Sequence, residues 1–280
     1  MPDHLGSTGA RRLAGLRCRD QPCGQHILQP GRRWTQAYCD EVIASRLHTT
    51  RSLVDAINAS GAPPEDFVST AGKCFYGTES RPDVYPTLDE MAERMAVGFP
   101  AELVGQWERA ADHLDTGRIR HVRVRIGVVL GAVDRMSPLG RLWRIGLSRG
   151  LLPIVRLPFC LGLGCRLGHG RQPFPWIHID DMAGILTMVI DDDTAEGRFN
   201  AVAPGIFANA AFTNAFAAAL RRPVLWSMPE WLIVAAVGRD RASILTEGQR
   251  VVPARTLAQG YVFRFPEIEP APDDLVEITV

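Results

Sequence analysis

Ile119-Arg120-His121-Val122-Arg123-Val124-Arg125-Ile126-Gly127-Val128-Val129-Leu130-Gly131 decides the fold. From Ile119 to Ile126 apolar residues alternate with cations, the period-2 pattern of a β-strand with two unlike faces. Gly127 to Gly131 then reads as a loop. Upstream, Leu103, Trp107, Ala110, Ala111 and Leu114 share one helical face, and Pro100 stands near the start of that helix, where proline is favoured. Before it, Asp66 to Thr70 reads as a short strand followed by a turn through Gly72 and Gly77. Earlier still, Trp34, Tyr38, Ile43, Leu47, Leu53, Val54 and Ile57 recur at helical spacing until Gly61-Ala62-Pro63-Pro64 stops them.

Downstream, Trp176-Ile177-His178-Ile179 reads as a strand, and Asp180-Asp181 as the cap of a helix through Met182, Ile185, Leu186 and Val189. Phe199 belongs to a short strand. Phe212, Phe216 and Leu220 line a further helix, Pro229 to Val237 another, and Tyr261, Phe263 and Phe265 alternate as a final strand. Strands that alternate with helices predict an α/β fold with a mostly parallel sheet.

The chain has 280 residues, 46% hydrophobic and 22% charged, enough for a large α/β domain or a domain with a small appendage. Thirty-one basic residues balance thirty-one acidic ones. That balance gives no general electrostatic attraction to nucleic acid or an anionic membrane. No apolar run approaches the ~20 residues of a membrane span. Cys18, Cys23, Cys39, Cys74, Cys160 and Cys165 form no CxxC pair and have no histidine at zinc-ligand spacing, so no metal site is expected. Unpaired thiols without a secretory segment point to a reducing, intracellular location. Residues 1–30 show no apolar periodicity and are arginine-rich, which fits an irregular segment or a poorly amphipathic transit peptide.

Several segments occur together in a fixed order: Gly31-Arg32-Arg33-Trp34, Ser45-Arg46 with Thr49-Thr50, Phe75-Tyr76-Gly77, Trp107-Glu108, Arg125-Ile126-Gly127-Val128-Val129-Leu130, Pro175-Trp176-Ile177-His178-Ile179-Asp180-Asp181, Phe199-Asn200-Ala201-Val202-Ala203-Pro204 and Gly248-Gln249-Arg250-Val251-Val252-Pro253. The ordered set resembles the epimerase-like family 39U branch of the extended short-chain dehydrogenase/reductases. The resemblance implies a Rossmann-type domain that binds NADP(H), oxidoreduction or epimerisation of a small substrate, and a small C-terminal domain closing over it. It divides the chain into residues 31–205, the dinucleotide domain, and residues 206–280, the small domain. Glu41 and Arg46 match positions that contact the cofactor, and a guanidinium suits phosphate oxygens. Val129 follows the strand end where nicotinamide ligands dock in open sheets.

Three departures qualify that expectation. Family members carry a glycine fingerprint between a first strand and its helix, where backbone N–H groups meet the pyrophosphate. A βαβ unit takes ~30 residues; two should precede Gly31, and thirty residues without an apolar strand do. The half that grips pyrophosphate and adenosine is therefore expected to be missing, leaving an N-terminally truncated sheet. Gly162-Leu163-Gly164 with Gly168 offers no substitute, because no strand leads into it. A Tyr-x-x-x-Lys pair is also impossible: Lys73 is the sole lysine, and Ser69 stands four residues before it. The position of the family serine falls on Ala71, beside Thr70, and Tyr76 is the nearest phenol able to act as an acid, although packing explains it as well. Finally, residues 141–156 read as an insertion, the surrounding stretch being about fifteen residues longer than the resemblance implies; with the unusual N-terminus this suggests the product of alternative splicing. His178 and Asp180 can share a strand face and orient each other, and Gln249 and Arg250 can face a substrate cleft. The expected outcome is an impaired NADP(H)-dependent oxidoreductase or epimerase. The alternatives are a catalytically silent fragment or a partner-binding pseudoenzyme.

Overall fold

The computed structural model describes residues 34–78, 85–93, 98–131 and 158–268. The expected N-terminal segment 1–30 and insertion 141–156 lie outside them. The first element is helix α1 (Gln36–Asn58), opened by Thr35, whose side chain accepts from the Tyr38 N–H. Its stripe of Tyr38, Val42, Val54 and Ile57 is buried. Strand β1 (Asp66–Gly72) follows the proline stop and runs into a 3-10 turn, Lys73–Tyr76, closed by Gly77 at φ 81°. After β2 (Thr87–Leu88) comes α2 (Phe99–Arg109), with Pro100 in its first turn. The deciding stretch divides into β3 (Arg120–Ile126) and β4 (Val128–Leu130) rather than strand and loop. Val128 to Leu130 is a strand because it pairs in parallel with β6 (Trp176–His178).

Strands β1, β3 and β7 (Gly197–Ala201) form a parallel three-stranded sheet in the order β1-β3-β7. In register, Gly72 stands beside Ile126, and Ile126 beside Ala201. One sheet face carries Val122, Val124 and Phe199 against α3 (Ile179–Asp191), through Ile185 and Val189. On the other face Phe67 and Ile119 meet Val54, Ile57, Ala111 and Leu114 of the helical layer. The expected α/β class with parallel pairing is therefore the observed one. Among the described residues, β1 is an edge strand, and most of it is only half-buried.

The C-terminal part contributes α4 (Asn209–Ala219), β8 (Ser227–Met228), α5 (Glu230–Val237), α6 (Arg239–Thr246), β9 (Arg250–Val251) and α7 (Ala254–Ala258). It reaches back into the rest of the chain: β9 pairs with β2, and β8 with β5 (Arg166–Leu167). Phe212 and Phe216 of α4 complete a second core with Leu130, Phe159 and Trp176.

Two readings of the sequence are corrected. Asp181 does not cap α3; His178 does, its Nδ1 accepting from the Asp180 N–H at 3.2 Å. Asp181 is fully buried and serves the C-terminal arm instead. Its Oδ1 accepts from the Arg264 N–H at 2.8 Å and the Tyr261 hydroxyl at 3.1 Å, and its Oδ2 from the Phe265 N–H at 2.9 Å. Residues 261–265 consequently form no strand. Their alternation is real as packing, since Tyr261 and Phe263 join the α3-side core and Phe265 the Trp176 core. The backbone N–H groups that a ladder would take are bound to a carboxylate. A Cβ at Gly184 would land on the Tyr261 hydroxyl, so α3 needs glycine where the arm crosses it.

Candidate functional site

The carboxyl ends of β1 and β3 face the turn Lys73–Tyr76, and a buried polar network occupies this end of the sheet. Arg125, on the cationic side of β3, is 1% exposed. A buried guanidinium without a carboxylate would be very costly. Glu108, on the facing side of α2, supplies one in fork geometry, accepting from Nε at 2.7 Å and Nη2 at 2.9 Å. Burial works to lower the Arg125 pKa, yet the Glu108 pair outweighs it and holds the group above its ordinary value. The guanidinium carbon also lies 3.4 Å from the Phe75 ring centroid, a stacked cation–π contact.

Arg125 Nη1 donates to the Tyr76 hydroxyl at 3.0 Å, and that hydroxyl donates to Asn200 Oδ1 at 2.8 Å. Asn200 Nδ2 donates in turn to the Val252 carbonyl. Glu90 closes the system, its two oxygens accepting from the Asn200 and Arg255 N–H groups. Tyr76 is 1% exposed, and burial raises its pKa against the opposing pull of Arg125. Its hydroxyl has a donor and an acceptor already in place, so the packing account of Tyr76 holds and a role as accessible acid gains no geometric support.

Gln249, expected to face a cleft, is 3% exposed and donates to the Gly77 carbonyl, while Glu247 accepts from Thr78 Oγ1. The Gly248-Gln249-Arg250-Val251 motif thus fastens the C-terminal part to the Tyr76 turn; only Arg250 of the two candidates is exposed. His178 and Asp180 do not form a side-chain pair. The imidazole caps α3 and lies tilted against Phe265 at 3.8 Å between centroids, whereas the Asp180 carboxylate accepts from Arg264 at 3.0 Å.

The three cofactor candidates sit in different surroundings. Glu41 is exposed on α1. Arg46 is buried against α2, its guanidinium 5.4 Å from the Trp107 ring centroid and its Nη1 3.3 Å from the Val42 carbonyl, and burial lowers its pKa. Trp107 is itself anchored by donating to Thr50 at 3.0 Å. Val129 packs, partly buried, on the α3-side core. None of the three lines the groove of about 830 Å³ between α1 and α2, whose walls include Trp34, Ile43, Leu47, Phe99, Glu102 and Asp240. Across β1 and β3, Ser69 Oγ meets His121 Nε2 at 2.9 Å. Burial, with Arg123 beside it, lowers the His121 pKa to about 4. Sequence reasoning singled out neither of these two residues nor Glu90. A serine and a histidine on neighbouring strands, and an acid far from its partners, carry no local signal. Among the described residues no group of three or more metal-ligating side chains is placed to hold an ion.

Comparison with known proteins gives this arrangement its relatives. Human epimerase family protein SDR39U1 is 40% identical over 253 residues, spanning 90% of this chain and 80% of the human protein. The chain belongs to the SDR39U1 epimerase family. An epimerase family protein of Staphylococcus saprophyticus is 31% identical over 245 residues, 88% of this chain and 76% of its own. The crystal structure of human SDR39U1 (isoform 2) with NADPH superposes with a TM-score of 0.81 at 38% identity, covering 96% of this chain and 85% of that one. A nucleoside-diphosphate sugar epimerase from Corynebacterium glutamicum gives 0.63 at 25% identity, over 89% of this chain and 44% of that one. Residues 228–275 match a domain of unknown function, DUF1731. In this SDR39U1-family chain that domain contains Val252, Arg255, Tyr261, Arg264 and Phe265, the residues that bind Asn200, Glu90 and Asp181.

Proposed function

We propose that this protein is an NADP(H)-linked oxidoreductase or epimerase of a small molecule whose hold on the dinucleotide is weakened. One observation carries the reading: the likeness of its fold to an NADPH-bound family member over nearly the whole chain. Bound NADP(H) would supply hydride transfer, with its nicotinamide beyond the carboxyl ends of β1 and β3, as open parallel sheets direct. Glu41 and Arg46 of α1 and Val129 of β4 are the proposed contacts, Arg46 toward a phosphate. Its guanidinium carbon lies 5.4 Å from the Trp107 ring centroid, and a guanidinium can give paired hydrogen bonds to phosphate oxygens.

The fit is partial. Among the described residues no glycine-rich turn leads from a strand into a helix N-terminus to cradle a pyrophosphate. Gly127 and Gly131 serve packing instead: a Cβ would press on the Pro175 carbonyl at one and on the Ile179 side chain at the other. Losing two or three charge-assisted hydrogen bonds, at about 1.5–3 kcal/mol each, weakens affinity by several orders of magnitude. These features also support a second reading, a folded but catalytically silent relative that uses the β1 edge to hold a protein partner.

Titrating the chain with NADPH by fluorescence, with thermal unfolding of the same sample, tests both. Saturable micromolar binding with a raised melting temperature sinks the silent reading. A cooperative melt that NADPH leaves unmoved sinks the cofactor reading.

A further inference from the structure

Helix α5 is apolar on both of its faces. Every residue after Glu230 is apolar, yet Ile233 alone is buried, with Val234 and Val237 half-covered beside it. Trp231, Leu232, Ala235 and Ala236 make up the opposite face and are exposed. A helix that is apolar all round belongs in a protein core or in lipid, and this one lies at the surface.

Its surroundings extend the patch. β5 and β8 pair in parallel, with Arg166 beside Ser227 and Leu167 beside Met228, and α5 leaves β8 through Pro229. The residues that enter the two strands therefore lie side by side: the Arg166 N–H donates to the Trp226 carbonyl, and Phe159 and Val224 share one core. Outward from that core stand Leu161 and Leu225 at 65% and 78% exposure, with Trp231 beyond them at 70%. Leu163 and Trp226 are exposed as well. Side chains this bare protrude, whereas the walls of a peptide groove are half-covered. Protruding indoles suit a soft interface with apolar depth and a wet surface.

Cations rim the patch. Arg221 and Arg222 precede Leu225, Arg239 follows the end of α5, and all three are exposed. Arg221 holds φ 53° in the turn that ends α4, the only described residue other than glycine with a positive φ. Glycine takes that conformation with less strain, so the chain keeps a cation at a position that does not favour its backbone. Glu230 is the acid of this rim; Asp240 lines the α1–α2 groove, and Arg241 lies over the Trp34 ring. The zero net charge of the whole chain thus conceals a local positive excess around an apolar surface. Anionic lipid complements both properties.

We propose that this corner of the C-terminal part is a peripheral docking surface for an anionic membrane. α5 lies in the headgroup layer, Leu225, Trp226 and Trp231 reach toward the acyl chains, and Arg221, Arg222 and Arg239 meet lipid phosphates. Eight helical residues span about 12 Å, which suits lying along a bilayer and is far too short to cross one. The assignment is independent of dinucleotide binding.

The full chain is mixed with vesicles of phosphatidylcholine, alone or with about a third phosphatidylserine, and sedimented at ~0.1 and ~0.5 M salt. Expected are saturable binding to the anionic vesicles at low salt, at least fivefold weaker binding to neutral vesicles or at high salt, and a blue shift of indole emission on binding. An arginine at an anionic leaflet contributes about fivefold in affinity, so R221G/R222Q should lose tenfold or more. Glycine suits the left-handed turn, so this variant should melt no lower than the parent. L225S/W231S, changed at exposed positions, should lose as much, and W231F should keep most of the binding. Absence of binding to either vesicle overturns the proposal. So does equal binding to neutral and anionic vesicles, or binding that both double variants leave within twofold of the parent. Sedimentation velocity without lipid tests the other occupant: a dimer that L225S/W231S dissolves shows a second copy covering the patch and overturns the membrane assignment.

Discussion

Removing the Glu108 carboxylate should be among the most damaging single changes in the chain. Glu108→Ala leaves Arg125, 1% exposed, with only the Tyr76 hydroxyl and two aromatic rings for company. Two charge-assisted bonds of 2.7 and 2.9 Å are lost, and the guanidinium cannot turn to water without breaking the Tyr76 contact. Stripping one partner from a buried pair costs about 3–5 kcal/mol, most of it for the charge left behind. Taking both ends away with Arg125→Met and Glu108→Leu should cost much less, about 0–2 kcal/mol, because no buried charge remains. The coupling between the sites is then at least ~2 kcal/mol. Urea unfolding measures it. With a slope of about 3 kcal/mol/M, Glu108→Ala should move the midpoint down by roughly 1–1.7 M and the double variant by under ~0.7 M. A single variant within 1 kcal/mol of the parent, or a double variant at the sum of the singles, would refute the account of a desolvated, mutually dependent pair.

Asp181→Ala should free residues 261–265 for about 2–4 kcal/mol, since two backbone N–H groups lose their acceptor and the Tyr261 hydroxyl keeps only the carbonyl of residue 181. Hydrogen exchange should rise first at the Arg264 and Phe265 amides. Gly184→Ala gains helix propensity but strikes the Tyr261 hydroxyl; a net loss of about 1–2 kcal/mol is expected. Tyr261→Phe in the same chain should recover part of that loss, and a stabilised Gly184→Ala would contradict the crossing geometry. For His121, the unfolded ring takes a proton as pH falls through 6.5, but the folded one resists until about pH 4. Stability therefore declines between those values, by about 1–2 kcal/mol after allowance for solvent screening of a half-buried ring. His121→Gln should flatten that part of a denaturation profile measured from pH 7 to 4; an unchanged slope would remove His121 as its source.

The strands and helices were legible because each buries one periodic face: Val122 and Val124 toward α3, Tyr38, Val42 and Val54 along α1. Chemistry at the opposite faces was not. Arg123 and Arg125 look alike in the alternation, yet only Arg125 is sealed, because Glu108 on another element stands opposite it. Tyr261, Phe263 and Phe265 misled for a related reason: period 2 reports where side chains point, while a strand also needs a neighbour for its backbone, and Asp181 took that place. Gln249 next to Arg250 gives no hint that one is buried and the other exposed, since the Gly77 carbonyl that decides it lies 172 residues away. The family motifs marked these positions without explaining them. Distances now tie Phe75-Tyr76-Gly77, Trp107-Glu108, Phe199-Asn200 and Gly248-Gln249 into one connected network.

The clamp on Asn200 also sets an order of events. This residue sits in β7, yet its backbone N–H is taken by Glu90, 110 residues earlier, its side-chain NH2 by the Val252 carbonyl and its backbone carbonyl by the Thr256 hydroxyl, both more than fifty residues later. Contacts of such long sequence separation close slowly, because the intervening chain must be ordered first. During synthesis β1 and β3 can leave the ribosome and pair well before residue 256 exists. β7 then waits with its polar end uncapped until the Val251-Val252 segment arrives. At ~5–20 residues per second that interval lasts several seconds, during which Asn200 lacks its Val252 and Thr256 partners.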